Sequence, residues 1–477
     1  MNLISWLFIL LDVLLVLVTA GHVLLNNRDS RAALGWIAVC LIFPLIGPAL
    51  YFLFGVNRVQ MRARKLDRRT GFRPHPGVDR RTPALDMTRA ITDLPHPCRQ
   101  VARISEAVTG SPLLGDNRID MLQNGEEAYP AMLKAIQEAR ESVFLTTYIF
   151  ETNRTGRQFI DALARANRRG VDVRVIIDGV GELYSLPWAG SLLKRKGVRV
   201  SKFLPPKLIP PTVHINLRNH RKILVADGRI GFVGGMNIGD RHLADAPDNP
   251  SRVIDVHFRL EGPIVTPIQR TFLEDWFFCT GEHTIPPPVA DPAAGNAICR
   301  VIVDGPNETL DKLDTILVGA VSSARKRVLI MTPYFLPSRA LIAALQTAAL
   351  RGVAVWVILP ARNNLPVVHW ATKNMLRELV QLGVRIFYQP PPFVHSKLFV
   401  VDGRYAQIGS PNIDPRSLRL NFELALEVFD PEVAAKLAAH IEAVLGVSRE
   451  IDLTTLENRP LAIKIRDALA WLFTPYL

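Results

Sequence analysis

One pattern of chemistry-bearing residues occurs twice in the sequence, His-x-Lys-x4-Asp-x6-Gly-x-x-Asn. It is filled by His220, Lys222, Asp227 and Asn237 in the first copy and by His395, Lys397, Asp402 and Asn412 in the second. Side chains alternate along a β-strand, so the His and Lys of each copy are predicted to point the same way. A glycine turn then returns the Asn amide toward them. A single His-x-Lys would suit an ordinary surface strand, but two complete copies indicate a function.

The chemistry that this set suits is displacement at a phosphodiester. An anionic phosphate needs fixed donors to neutralise its charge, and the lysines and the Asn amides are expected to bind its oxygens. One histidine would attack phosphorus to form a phosphohistidine, and the other would protonate the leaving alkoxide and then deprotonate the acceptor. Neither copy suffices alone, so the site is predicted to lie between two halves. The four scattered cysteines form no C-x-x-C pair, and we expect no metal ion and no other cofactor.

Other segments repeat at a similar offset, which indicates an internal duplication. Residues 139–150 are echoed by 324–335, residues 169–177 by 351–359, and residues 197–200 by 383–386. The offsets lie between 175 and 186 residues and vary only as loop lengths would make them vary.

Helix-like and strand-like segments alternate within each unit, which predicts a largely buried sheet covered by helices. The predicted fold is α/β, with two tandem α/β/α lobes packed around the site and a transmembrane helical hairpin before them. The predicted bounds are 1–56 for two transmembrane helices, 57–120 for a basic juxtamembrane linker, 121–282 for the first lobe, 283–298 for a second linker, 299–458 for the second lobe and 459–477 for a C-terminal amphipathic segment.

The N-terminal region contains two apolar runs, residues 3–25 and 32–54, each of 23 residues. Each could cross a hydrocarbon core of about 30 Å as a helix. A signal peptide is the alternative for the first run, but no Lys or Arg precedes it and a second run follows. Asp12 within the first run is expected to be protonated or paired. Pro44, Gly47 and Pro48 favour a kinked or re-entrant second segment over a straight one.

Basic residues predict the orientation of the chain in the membrane. Two arginines lie between the apolar runs, whereas seven Arg and Lys residues follow the second run between positions 58 and 73. The excess of basic residues after the second run predicts that the N-terminus and the long C-terminal part are cytoplasmic. The formal net charge of +13 also predicts an anionic partner, either nucleic acid or acidic lipid, and the apolar runs favour lipid.

The paired motifs resemble the HKD signatures of the phospholipase D superfamily, and the resemblance covers nearly the whole chain. Three further stretches are similar to bacterial cardiolipin synthases in particular: Gln269-x-x-Phe-x-x-Asp275-Trp276, Arg416-Ser-Leu-x-Leu-Asn421-Phe-Glu423 and the ending 459–477. The resemblance implies that one phosphatidylglycerol gives its phosphatidyl group to a histidine, with release of glycerol, and that the terminal hydroxyl of a second one accepts it. It also implies an enzyme embedded in the bacterial inner membrane by several passes, with anionic lipid and not nucleic acid as its partner; the sequence allows a homo-oligomer.

The resemblance also implies roles for residues beyond the motif histidines and lysines. In the superfamily an acidic residue beyond each motif orients the histidine of that motif, and the matches by position are Asp255 and Glu423. Asp227 and Asp402 are counted with the catalytic residues, in an orienting or structural role. Superfamily habit favours His220 as the nucleophile.

One position departs from the family. The resemblance implies that Ser410 binds a phosphate oxygen. Gly235 stands where the family often has the same Ser, so the first half is expected to have one hydroxyl donor fewer. The remaining histidines His214, His242, His257 and His369 are expected to be polar or core residues.

Two alternative functions remain open from the sequence. A phospholipase D or nuclease on the same scaffold would use water as the acceptor, and no residue visibly excludes water. A catalytically silent, basic membrane scaffold would have no need of paired histidines. The segment 461–473 has an apolar face, and it is expected either in the membrane interface or packed on the catalytic body or a second subunit.

Overall fold

The computed structural model describes residues 3–26, 30–52, 94–208, 211–212, 217–284, 293–305 and 311–474. The chain forms two compact units, residues 1–68 and residues 69–477. The first unit holds the apolar runs, and the second holds both copies of the motif.

In the N-terminal unit, one of the described helices is long and apolar enough to cross a membrane. This helix, α1 (Leu3–Asn26), exposes large apolar side chains, among them Leu10, Leu14 and Leu17. The second apolar run is divided into α2 (Ser30–Ile42) and α3 (Ile46–Leu50). The 13 residues of α2 span about 20 Å, less than the hydrocarbon core.

The second apolar run breaks between Ile42 and Ile46, as expected for a kinked or re-entrant segment. Pro44 cannot donate to the helical ladder, and the next residue, Leu45, has a φ of 58°. The N–H of Leu45 donates to Oδ1 of Asp12 at 2.8 Å. The carboxyl group that was predicted to need a partner therefore has one.

The second unit is built on one sheet of 15 strands. The strands of the first lobe are β1 (Leu114–Gln123), β2 (Ser142–Thr147), β3 (Asp172–Asp178), β4 (Arg199–Phe203), β7 (Ile223–Ala226), β8 (Ile230–Gly234) and β10 (Val256–Glu261). Those of the second lobe are β11 (Ala297–Asp304), β12 (Arg327–Met331), β13 (Ala354–Pro360), β14 (Arg385–Gln389), β16 (Leu398–Val401), β17 (Tyr405–Gly409), β18 (Glu423–Phe429) and β19 (Arg449–Ile451). Short pairs outside this sheet are formed by β5 (Lys207–Leu208) with β6 (Pro211–Thr212) and by β9 (Val253–Ile254) with β15 (Phe393–Val394).

The strand order shows the duplication directly. It runs β4-β3-β2-β7-β8-β10-β1 through the first lobe and continues β11-β18-β17-β16-β12-β13-β14-β19 through the second. Apart from β19, the second half repeats the first in reverse. β1 and β11 join the halves antiparallel, with Leu114 opposite Cys299 and Asn117 opposite Ala297. The α/β fold with two repeated lobes is confirmed.

Helices cover the sheet in both lobes. Those of the first lobe are α5 (Asn124–Glu138), α6 (Arg154–Arg168), α7 (Ala189–Arg195) and α8 (Val265–Thr280). Those of the second lobe are α9 (Lys312–Ser323), α10 (Arg339–Leu350), α11 (Pro366–Val380), α12 (Pro415–Arg419), α13 (Pro431–Leu445), α14 (Leu453–Glu457) and α15 (Leu461–Leu472). One hydrophobic core contains side chains of both lobes, including Val225 and Leu260 with Val400 and Leu426. This shared core fixes the two motifs relative to each other.

A helix and a strand occupy the end of the region that was predicted to be a linker, residues 57–120. They are α4 (His96–Thr109) and β1. The buried residues of α4 are Cys98, Val101, Ala102 and Ser105. This is the spacing of an amphipathic helix, so the linker prediction is wrong from residue 94 onward. Residues 57–93, including the basic stretch, and residues 285–292 of the predicted linker 283–298 lie outside the described residues.

The C-terminal helix α15 packs on α11, which is the second of the placements expected for this segment. Its Asp467 is buried and accepts hydrogen bonds from Arg459 at 2.5 Å and from Arg466 at 2.6 Å. The guanidinium of Arg466 lies 4.5 Å from the ring centre of Trp370 on α11. The helix therefore belongs to the catalytic body.

Candidate active site

Each motif lies immediately before a buried strand. His220 and Lys222 precede β7, and His395 and Lys397 precede β16. In both copies the lysine ammonium donates to the backbone carbonyl of its own histidine at 2.6 Å. The two motifs therefore have the same local geometry, as the repeated spacing predicted.

The backbone of each histidine is bound to the opposite lobe. The N–H of His220 donates to the carbonyl of Phe422 at 2.9 Å, and the N–H of His395 donates to the carbonyl of Ile254 at 2.8 Å. Phe422 and Ile254 each directly precede one of the two acidic residues that were expected to orient the histidines. The contact between the lobes thus places each histidine beside the acid of the other half.

The acids and histidines pair across the lobes. Nδ1 of His395 lies 2.9 Å from Oδ2 of Asp255, and Nδ1 of His220 lies 3.3 Å from Oε1 of Glu423. Both carboxylates are fully buried. Asp255 and Glu423 were predicted to orient the histidine of their own motif, and that assignment is wrong. The sequence could not have shown the exchange, because it depends on how the lobes face each other.

The two acidic positions are built differently. Oγ of Ser410 donates to Oε2 of Glu423 at 2.5 Å and accepts the N–H of Leu424 at 3.0 Å. The hydroxyl hydrogen of Ser410 is therefore used to hold Glu423, not to bind phosphate as predicted. A Cβ added at Gly235 would lie 2.6 Å from Oδ2 of Asp255. The carboxylate of Asp255 thus occupies the space that a serine side chain at position 235 would need. This explains why a glycine stands there where the family often has a serine.

The two motif asparagines line the same cavity as the histidines. Oδ1 of Asn237 accepts the N–H of Ile149 at 3.1 Å, so its NH2 group is what remains for a ligand. Nδ2 of Asn412 donates to Ser417 at 3.2 Å, and an NH2 has a second hydrogen to give. Both positions suit the predicted role in binding phosphate oxygens.

Asp227 and Asp402 lie at the far ends of the strands that follow the histidines. Asp227 accepts the backbone N–H groups of residues 140, 141 and 142, and Asp402 accepts those of residues 325, 326 and 327, at 2.7–3.2 Å. Four strand residues at about 3.3 Å each separate these carboxylates from the motif lysines. These contacts fix the loops before β2 and β12, which favours the structural role of the two aspartates over a catalytic one.

Burial sets the protonation of the site. It lowers the pKa of His220, which Glu423 offsets only in part, and it lowers the pKa of His395 well below 6.5, to which the charge of Lys397 contributes. Burial also lowers the pKa of Lys397 to about 8. Burial raises the pKa of Glu423, but the hydrogen bond and charge of His220, with the charge of Lys222 and the hydrogen bond from Ser410, outweigh it, so the net shift is downward. At neutral pH the imidazoles are therefore unprotonated and ready to attack, and an anionic phosphate between them would favour protonation of one.

Two further groups of residues contact the motifs, and no role was predicted for them. The ring of Tyr148 lies 4.5 Å from that of His220, centre to centre, and the ring of Tyr334 lies 6.4 Å from that of His395. Nδ2 of Asn421 lies 3.2 Å from Nδ1 of His220. In the repeated segments 139–150 and 324–335, Tyr148 aligns with Pro333 and Tyr334 aligns with Ile149, so the repeat does not match the two tyrosines to each other.

Arg221, between His220 and Lys222, joins the two lobes. Its guanidinium donates to Oδ1 of Asp275 on α8 at 2.5 Å, to the carbonyl of Glu423 at 3.1 Å and to the carbonyl of Asp304 at 3.3 Å. The arginine and Asp275 are both buried. This network fixes the backbone on which His220 and Glu423 meet.

A cavity of about 1070 Å³ lies between the lobes and is lined by His220, Lys222, His395 and Lys397. One histidine of each lobe thus faces a common space, as the shared-site prediction required. Each uses Nδ1 for its carboxylate, which leaves Nε2 for chemistry. Among the described residues, no group of three or more His, Cys, Asp and Glu side chains could hold a metal ion.

The other histidines differ in their surroundings. His242 and His257 are buried, and burial lowers their pKa to about 3 and about 4. His242 also accepts the N–H of Asn237 at 3.3 Å. His369 lies 5.9 Å from the ring of Tyr388, and His214 lies outside the described residues.

Comparison with known proteins gives the family. Residues 132–276 and 317–445 match the family described as "Cardiolipin synthase, PLD-like domain", and residues 4–55 match "Phospholipase_D-nuclease N-terminal". The chain belongs to the cardiolipin synthase family of phospholipase D-like enzymes. The matched segments of this synthase family correspond to the two lobes, so the expected resemblance is confirmed.

Similar proteins cover nearly the full length. The chain is 32% identical to the "Major cardiolipin synthase ClsA" of Bacillus subtilis (strain 168), over 99% of this chain and 98% of that protein. It is 33% identical to "Cardiolipin synthase A" of Pseudomonas aeruginosa (strain LESB58), over 91% of this chain and 88% of that one. Among solved structures, the phosphatidylserine synthase of Haemophilus influenzae Rd KW20 is similar over 79% of this chain and 100% of its own, with a TM-score of 0.59 and 16% identity. At this sequence identity, the likeness to the solved structure shows the fold alone.

Proposed function

We propose that this enzyme synthesises cardiolipin from two phosphatidylglycerol molecules and releases glycerol. The single structural observation that supports the proposal is the pair of histidines, one from each lobe, that face one cavity and are each held through Nδ1 by a carboxylate of the other lobe. The choice of transfer over hydrolysis rests on the similarity to the named cardiolipin synthases over nearly the whole chain.

The reaction follows from this arrangement in two displacements. Nε2 of one histidine attacks the phosphorus of the donor lipid, the bond from phosphorus to the glycerol oxygen breaks, and the second histidine gives its proton to that oxygen. The hydroxyl of the acceptor lipid then attacks the phosphohistidine, gives its proton to the second histidine and releases the first. Lys222 and Lys397, with the Asn237 and Asn412 amides, neutralise the phosphate oxygens in both displacements.

We further propose that the enzyme acts at the bacterial cell membrane as a multi-pass protein whose catalytic body is cytoplasmic. Its apolar N-terminal unit and the basic residues between positions 58 and 73 support this placement. The partner is then anionic phospholipid and not nucleic acid. The same proposal includes assembly into a homo-oligomer, for which Asp12 and the exposed faces of α1 would supply the contacts.

Purified full-length protein incubated with phosphatidylglycerol in mixed micelles tests the function. Cardiolipin plus glycerol is the expected product, whereas phosphatidic acid would identify a hydrolase and unchanged lipid would identify a scaffold. His220→Ala and His395→Ala are each expected to abolish turnover while the protein stays folded and membrane-bound. Turnover by either variant would contradict a shared two-histidine site.

A further inference from the structure

Two loops at equivalent places on the two sides of the cavity differ in charge. The loop that follows β3, residues 179–188, contains no Lys or Arg, and it lines the cavity with Tyr184. The equivalent loop after β13, residues 361–365, carries Arg362, which also lines the cavity. The two lobes therefore offer different surroundings to ligands that enter from either side.

A second arginine lies on the same side as Arg362. Arg252 lines the cavity and directly precedes β9, whose Val253 pairs with Phe393 of β15. The N–H of Ala361 donates to the carbonyl of Gln389 at 2.8 Å. Since residues 390–392 connect Gln389 to Phe393, both arginines flank the same short proline loop.

This cationic wall belongs to the His395 side of the site. β15 leads directly into His395, and the N–H of His395 donates to Ile254, two residues after Arg252, at 2.8 Å. Within the described part of the chain, neither Arg252 nor Arg362 forms an ion pair. Arg241, by contrast, is a cavity arginine that is neutralised by Glu151.

We infer that Arg252 and Arg362 form a binding site for the phosphate of the acceptor lipid, which places the acceptor hydroxyl at His395 and makes His220 the nucleophile. This inference rests on the proposed function, because only a phospholipid acceptor brings a second phosphodiester into the cavity. Lys222 and Lys397 neutralise the phosphate of the donor lipid, so the phosphate of the acceptor lipid needs other cations.

The direction of attack agrees with this placement. An acceptor that displaces the phosphohistidine in line approaches phosphorus from the side opposite the histidine nitrogen. If the phosphatidyl group is on His220, the acceptor enters from the His395 side, where the arginines are. The same His395 then takes the proton of the acceptor hydroxyl, as it gave one to the departing glycerol.

Two assays separate the acceptor from the donor. Incorporation of labelled glycerol into phosphatidylglycerol measures formation and reversal of the phosphohistidine with an acceptor that has no phosphate. Cardiolipin formation under the same conditions needs the second lipid. For Arg252→Gln/Arg362→Gln in the full-length protein, we expect cardiolipin formation to fall about tenfold or more while glycerol exchange falls less than about threefold.

Matched variants control for general charge. Arg165→Gln removes one positive charge from an exposed position on α6 outside the cavity, and it should leave both rates as in the wild type. Arg252→Lys/Arg362→Lys keeps the charge and should recover part of the cardiolipin rate. An equal fall of both rates in the Gln variant, or a fall of neither, would overturn the acceptor site. If the wild type exchanges glycerol but makes no cardiolipin, the proposed function fails instead.

Discussion

Nδ1 of His395 lies 2.9 Å from Oδ2 of Asp255, although 140 residues separate them in the chain. The reciprocal pair, His220 with Glu423, spans 203 residues and joins the lobes in the opposite direction. Each lobe thus supplies the carboxylate that orients the histidine of the other. An isolated lobe would contain one histidine without its acid and one acid without its histidine.

Asp255→Asn should lower kcat about 100-fold or more, because an amide does not stabilise the imidazolium of His395 and can turn its NH2 toward Nδ1. Loss of the carboxylate should also lower the pKa of the imidazole that it faces, since the protonated form loses its counter-charge, and so shift the pH–rate profile to lower pH. Steady-state kinetics from pH 5 to 9 on Asp255→Asn and Glu423→Gln measure both effects. Ser410→Ala, which removes only a hydrogen bond to Glu423, should cost less than either; an unchanged profile in Asp255→Asn would refute an orienting role.

Activity should fall as the pH rises through about 8, where Lys397 loses its proton. The folded pKa of this lysine is lowered by burial, so the charged form that neutralises phosphate is present below that pH and absent above it. The measurement is kcat/KM from pH 6.5 to 10 in micelles of constant composition. Lys397→Arg keeps its charge over this range, so whatever activity it retains should lack the alkaline limb. A wild-type rate that stays flat to pH 10 would contradict the assignment.

Asp227→Ala and Asp402→Ala should each destabilise the fold by about 2 kcal/mol while leaving the kcat of the folded protein near the wild-type value. Each substitution removes the acceptor of three neighbouring backbone N–H groups, and neither residue lines the cavity. Urea unfolding in detergent, followed by activity per folded molecule, separates the two effects. Both aspartates have a positive φ, which Asn tolerates, so Asp227→Asn should be the milder change. A selective loss of kcat in the folded protein would restore these residues to the catalytic set.

Arg221→Met should destabilise the enzyme by about 3–5 kcal/mol, because it leaves the buried carboxylate of Asp275 without its cation. The double variant Arg221→Met/Asp275→Asn removes the stranded charge as well and should recover part of that loss. Thermal unfolding midpoints of the detergent-solubilised proteins give the comparison. Additive losses in the double variant would show that the two side chains do not act as a pair.

Much of the site could be predicted from local spacing. The repeated His-x-Lys set located both lobes, and the Gly-x-x-Asn turn correctly returned Asn237 and Asn412 to the cavity. The glycine of that turn is required by the backbone: Gly409 has a φ of 143°, and a Cβ there would lie 2.3 Å from the carbonyl of Leu424. These features depend on residues close together in the chain.

What the sequence could not give depends on contacts between distant segments. The crossed acids, the hydroxyl of Ser410 on Glu423 and the interlobe role of Arg221 all follow from the way two similar lobes meet. The helix α4 is a different case, because the spacing of Cys98, Val101 and Ala102 was present in the sequence. The arginines and prolines of this region suggested a linker. The partner of its apolar face, the second-lobe helix α9, is seen only in the structure.

The junction of β1 with β11 has a consequence for biosynthesis. β1 pairs on one side with β10 of its own lobe and on the other with β11, which is complete only at Asp304. A ribosome adding about 5–20 residues per second needs about 10–35 s to pass from the end of β1 to the end of β11. During that interval the outer edge of β1 offers unpaired N–H and C=O groups to any neighbouring strand. The nascent chain is therefore prone to aggregate through this edge until β11 has been made, and slow translation or a pause in this interval should lower the yield of enzyme.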